Sequence, residues 1–138
     1  MGDNRAKRQR ETKPGEEDFV FKAKIIMDAD PFKERAPREF DKAFRALFGC
    51  SNQTAFALWN DLEKYGLLPQ GGRMVHLLWA LMFLKVYPSE ETLKRLTGAD
   101  SKTARKWINS FVAAISSLSV YKVSTYVRAT NFFVNPVI

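Results

Sequence analysis

Cysteine and histidine are almost missing from this 138-residue chain, which has one of each, Cys50 and His76. A single thiol cannot close an intramolecular disulfide, and one Cys with one His gives too few donors for a structural zinc site. A secreted disulfide scaffold and a zinc module are therefore excluded, and a reducing intracellular setting is expected. Long hydrophobic runs are missing too: the longest candidate, Met74 to Tyr87, carries His76 and Lys85 and falls short of the roughly 18 apolar residues that mark a span. No membrane association is expected. Met1 to Lys13 is polar and lacks the apolar stretch of a secretory signal. There is no GxxxxGK phosphate loop, and one His with one Cys assembles no nucleophile and base arrangement. No catalytic, metal or cofactor site is expected, and His76, with no acid or thiol at ligand spacing, reads as a structural residue.

Acid is scarce at one end. The chain carries 22 Lys and Arg against 15 Asp and Glu, for a net charge of +7, and Asp100 is its last acidic residue. Residues 94–138 hold seven basic residues and one acid, the footprint expected where a surface meets phosphate. What is abundant is aromatic: eleven Phe, four Tyr and three Trp in a chain with 46% hydrophobic residues, enough for a packed core in one domain.

Residues 1–17 have no apolar periodicity and read as a disordered basic arm, with Arg5, Lys7, Arg8 and Arg10 as a weak nuclear-localisation or phosphate-binding cluster. Residues 18–36 are a linker or ambiguous segment. Phe19, Phe21, Ala23 and Ile25 alternate as in a strand, while Val20, Ala23, Ile26 and Met27 fit a helix; Asp30 before Pro31 reads as extended. From Pro37 the pattern becomes helical. Phe40, Ala43, Phe44, Leu47 and Phe48 recur at helical spacing until Gly49, and Ser51 can cap a second helix that Gly66 ends. After Pro69, Gly71 and Gly72, Met74 to Tyr87 is apolar nearly all round, as in the central helix of a bundle.

Pro88 stops that helix, and Ser89 with Glu90 and Glu91 starts a short one that ends at Gly98. Asp100 can cap the next helix through the amides of Lys102 or Thr103. Two helices separated by a short turn containing Gly form a helix-turn-helix unit, here 89–118. In its second helix Ala104, Trp107, Ile108, Phe111, Val112, Ile115 and Leu118 make an apolar stripe. Lys102, Arg105, Lys106 and Asn109 recur on the opposite face with no acid among them. Arg or Lys can donate to guanine O6 and N7, and Asn can pair bidentately with adenine. Lys94 and Arg95 on the preceding helix would meet the phosphate backbone.

The stretches FRALFGCSNQTAFALWNDLEKYGLLP (Phe44 to Pro69) and HLLWALMFLKVYPSEETLKRLTGADSKTARKWINSFVAAI (His76 to Ile115) resemble the N-terminal helical region of Harbinger-like DDE transposases. The specific parts are FGC after a helix, LLWALMFLKVY, and TARKW. The resemblance covers about residues 40–118 and implies a helix-turn-helix that recognises double-stranded DNA in the nucleus, with Lys102, Thr103, Arg105 and Lys106 as binding residues and Trp107 as the packing anchor. A DDE nuclease holds two divalent cations about 3.5 to 4 Å apart on three carboxylates, and in the family these lie downstream. No acid follows Asp100 here, so catalysis is not carried over and the chain is expected to stop before the nuclease domain.

The expectation is therefore an all-α small helical bundle over 37–118 ending in a helix-turn-helix, with a basic arm before it. A weakly alternating, poorly ordered tail of no family likeness, 119–138, would follow. The expected function is sequence-selective DNA binding without catalysis, through Lys94, Arg95, Lys102, Thr103, Arg105, Lys106 and Asn109. Two alternatives stand beside it: a protein-interaction domain that docks a partner on Phe19, Phe21, Phe132 and Phe133, and a non-functional fragment of a mobile element.

Overall fold

A computed structural model describes residues 15–27 and 36–133, with side chains described as far as Lys122. Among these residues there are six helices and no strand: α1 (Glu16–Ile26), α2 (Pro37–Phe48), α3 (Asn52–Lys64), α4 (Met74–Val86), α5 (Glu90–Thr97) and α6 (Ser101–Phe133).

Local chemistry sets most of the boundaries. Pro37 opens α2, where a missing amide proton costs nothing, and Gly49 closes it at φ 84° while its N–H donates to the Arg45 carbonyl. The hydroxyls of Ser51 and Ser89 accept from the amides of Thr54 and Thr92, at 3.1 and 3.2 Å, which satisfies donors that the first helical turn leaves unpaired.

The amphipathic faces then determine the packing. α4 runs through the middle, packed on α1, α2, α3 and α6, and its Leu77, Leu78, Ala80 and Met82 are fully buried. Phe44 and Phe48 of α2, Leu62 of α3 and Phe111 of α6 complete the core. Each such side chain contributes roughly 1.5 to 3 kcal/mol by leaving water. The last turn of α4 departs from the fully buried helix expected there. Leu84 and Val86 are 46% and 40% exposed, and Tyr87, just past the helix end, is 74% exposed.

Three further expectations are corrected. Residues 16 and 17, expected in the arm, and 18–26, expected as linker or ambiguous, form α1. Helical spacing wins over alternation because Phe19, Ala23 and Ile26 are buried together while Phe21 and Ile25 stay at the surface; Glu16, Glu17 and Asp18 in the first turn favour the helix dipole. Residues 119–133 are no strand: α6 continues without a break to Phe133. Between Ser101 and Pro136 there is neither Gly nor Pro, so nothing stops a helix that is already nucleated. At the last of its described side chains, Lys122 Nζ pairs with Asp61 Oδ2 at 2.7 Å and Tyr121 stacks on Tyr65. Phe19, offered as a docking aromatic, is fully buried against Phe56. The basic cluster at 5–10, the Asp30–Pro31 step and the side chains of Phe132 and Phe133 lie outside the described residues.

The loop between α3 and α4 is tied to α6 by a close approach. A Cβ on Gly72 would stand 2.9 Å from the Phe111 ring and from the Pro69 carbonyl oxygen. Gly72→Ala is therefore expected to lower stability by roughly 1 to 3 kcal/mol, as overpacking does, measured by denaturant unfolding. An alanine variant as stable as the parent would mean that the loop yields freely.

Candidate nucleic-acid interface

The turn between α5 and α6 is fixed by side chains at both ends. Thr97 Oγ1 donates to the Leu93 carbonyl at 2.8 Å and accepts from the Ala99 amide at 3.2 Å. Gly98 takes a left-handed φ of 70°, a conformation that glycine adopts without a Cβ penalty. Asp100 Oδ1 accepts from the Thr103 amide at 2.7 Å, and Asp100 Oδ2 accepts from the Thr103 hydroxyl at 3.2 Å. These bonds, with the charge of Lys102 nearby, hold the Asp100 carboxyl below the usual carboxylate range.

The apolar stripe of α6 sits on the core. Ala104, Ile108, Phe111 and Leu118 are buried, Ala114 joins them, and Trp107, Val112 and Ile115 are half-buried. Trp107 lies flat on His76, with ring centroids 4.2 Å apart and planes within 2°, while Trp79 meets the imidazole at a steep angle, with planes 65° apart and centroids 4.9 Å apart. His76 Nδ1 accepts from the Arg73 amide at 3.0 Å and so stands in for the usual capping carboxylate at the start of α4. Burial, with Arg73 and Lys22 nearby, pushes its pKa down to about 4. His76 is thus a structural residue that seats the base of α6.

Lys94, Arg95, Lys102, Thr103, Arg105, Lys106 and Asn109 are all exposed. The first two come from the last turn of α5, and the other five belong to the first turns of α6, which hold no acid. Three of the seven are already engaged. The hydroxyl of Thr103 is committed to the Asp100 cap, so it serves the helix start. Arg105 lies over the Phe83 ring at 5.9 Å, and its Nε is 3.7 Å from Glu90 Oε1. Lys106 Nζ stands 5.6 Å from the Trp107 ring centre, which places the ammonium beside the packing anchor.

Three residues on this side were not read from the sequence as part of the site, Glu90 having been read only as a helix-start charge. Phe83 and Glu90 orient Arg105 from two different helices, a relation that no spacing within one helix reveals. Tyr87, the only residue other than glycine with positive φ among the described residues, at 49°, stands 74% exposed with its ring 5.2 Å from that of Phe83. Pro88 after it was the available signal, since proline bars its predecessor from continuing the helix. No group of His, Cys, Asp and Glu suited to a metal ion occurs among the described residues, and none of their helices is long and apolar enough to cross a membrane.

No protein-family model, curated protein or solved structure matches this chain.

Proposed function

We propose that α5, its turn and the first turns of α6 act as a helix-turn-helix that binds double-stranded DNA sequence-selectively. On this reading the chain is a nuclear, non-catalytic module related to Harbinger-like transposases. The observation that carries the proposal is the set of exposed donors Lys102, Arg105, Lys106 and Asn109 on the acid-free face of α6, with Lys94 and Arg95 beside them. A recognition helix reads bases with its N-terminal turns, and these residues lie in those turns. Arg105, steadied by Phe83 and Glu90, has less freedom to lose on pairing with a guanine edge. Lys94 and Arg95 suit phosphates, which position a protein without specifying sequence. Asp100 stands at the helix start and repels phosphate there, so backbone contacts fall to either side of the turn.

The test is binding to duplexes selected from a random pool, followed by fluorescence anisotropy across salt. With about four to six phosphates contacted, log K falls against log salt with a slope near −4 to −5. Arg105→Ala with Lys106→Ala lowers affinity while circular dichroism and melting temperature stay put. A flat salt response or an unchanged affinity contradicts the proposal.

A further inference from the structure

The connection between α4 and α5 carries a side chain that the packing of the bundle does not account for. Tyr87 takes φ 49° and ψ 60°, the left-handed region that glycine enters freely and that a Cβ makes unfavourable. Its ring gains little burial in return, being 74% exposed. Phe83 orients it, with ring centroids 5.2 Å apart, and among the described residues no hydrogen bond reaches its hydroxyl. The same Phe83 ring carries the Arg105 guanidinium at 5.9 Å, and Glu90, at the start of α5, stands 3.7 Å from Arg105 Nε. Tyr87 and Arg105 thus share one supporting ring, on the side of the molecule where α5 begins.

We infer that the Tyr87 hydroxyl donates to a phosphate oxygen of the DNA backbone beside the base pair that Arg105 meets, an inference that rests on the helix-turn-helix reading. In three-helix domains of the homeodomain type the last helix reads bases while the connection ahead of the helix pair meets the backbone. On that reading α4, α5 and α6 form such a set, and Tyr87, Pro88 and Ser89 are the connection. Tyrosine is among the side chains that bind phosphate without reading sequence, and its chemistry suits this place. Glu90 and Glu91 open α5, so phosphate is repelled from the helix start itself. The Ser89 hydroxyl is occupied there, accepting from the Thr92 amide at 3.2 Å and donating to Thr92 Oγ1 at 3.0 Å. A phenol carries its donor at the far end of a rigid, uncharged ring, away from the backbone that bears those carboxylates. Pro88 stiffens the chain after it and Phe83 supports the ring, so little freedom is lost when the bond forms.

The experiment compares the full chain with its Tyr87→Phe variant by fluorescence anisotropy, on a duplex that the parent selects from a random pool and on a scrambled one. Tyr87→Phe keeps a ring on Phe83 and loses only the donor. It is expected to melt with the parent and to bind both duplexes about five- to tenfold more weakly. The ratio between the duplexes and the salt slope stay unchanged, since no cation is removed. When phosphates near the Arg105 base pair are replaced one at a time by neutral methylphosphonate, one replacement that weakens the parent is expected to leave Tyr87→Phe nearly unaffected, because the two changes remove the same bond. A parent that binds with the expected salt slope while Tyr87→Phe binds equally well overturns this inference and leaves the helix-turn-helix reading standing; a parent that binds no duplex overturns both. Weakening confined to the selected duplex would make Tyr87 a reader of a base, and a Tyr87→Phe variant that melts earlier would make the hydroxyl part of the fold. Either result overturns the phosphate contact.

Discussion

Trp107→Ala is expected to lower the unfolding free energy by about 3 kcal/mol, near the lower end of the range for truncating a large aromatic. The lower end applies because Trp107 is half-buried and keeps part of its surface in water in the parent. What it loses is specific: the face-to-face contact with His76 at 4.2 Å and the packing of its ring edge against the loop at Gly71, where a Cβ would stand 3.5 Å away. A domain stabilised by roughly 5 to 15 kcal/mol survives this loss in the cold but melts much earlier. DNA affinity is then expected to fall on warming in step with the folded fraction, and to return on cooling. Trp107→Phe keeps a ring on the imidazole and recovers most of both. A variant with an unchanged melting temperature and lost DNA binding would show instead that Trp107 touches the nucleic acid directly.

The parts of this fold that could be read from the sequence are those set within one turn of chain. Gly49 and Gly98 end helices at the expected residues because a left-handed stop needs only the local backbone. Ser51, Ser89 and Asp100 cap because the acceptor and its amide are three residues apart. The basic face of α6 was legible for the same reason, since helical spacing alone separates it from Ala104, Ile108 and Phe111. What could not be read depends on partners distant in sequence or on a contest between periods. In α1 two periodicities coexist, and only the burial of Phe19, Ala23 and Ile26 on α3 and α4 decides between them. The run of α6 beyond residue 118 carries no stop signal, and its pairing with α3 through Lys122 and Asp61 spans 61 positions.

Acid is expected to unfold this protein earlier than its carboxylates alone would dictate, because the structure needs His76 neutral. The imidazole accepts from the Arg73 amide through Nδ1, and protonation converts that acceptor into a donor facing a donor. It would also place a cation beside those of Arg73 and Lys22 at a site largely removed from water. The pKa in the fold is down to about 4, against 6.5 for the free group. With the folded value below the unfolded one, the stabilisation is fully present above pH 6.5 and drains away as pH falls toward 4. Across that window the unfolded chain binds a proton that the folded chain refuses, which amounts to a loss of about 3 kcal/mol. His76→Gln supplies a neutral acceptor at the same capping position and is expected to flatten the stability profile between pH 6.5 and 4. The acid transition that remains starts lower, where Asp100, held below the ordinary 3.8 by its bonds to Thr103, finally protonates and uncaps α6. Trp107→Ala should flatten the upper window as well, since uncovering the imidazole lets water solvate its charged form. Denaturant unfolding at successive pH values, with the His76 ring protons followed by NMR, measures both quantities at once. An imidazole that titrates near 6.5 in the folded protein, or a parent profile identical to that of His76→Gln, would show that the cap tolerates the charged ring.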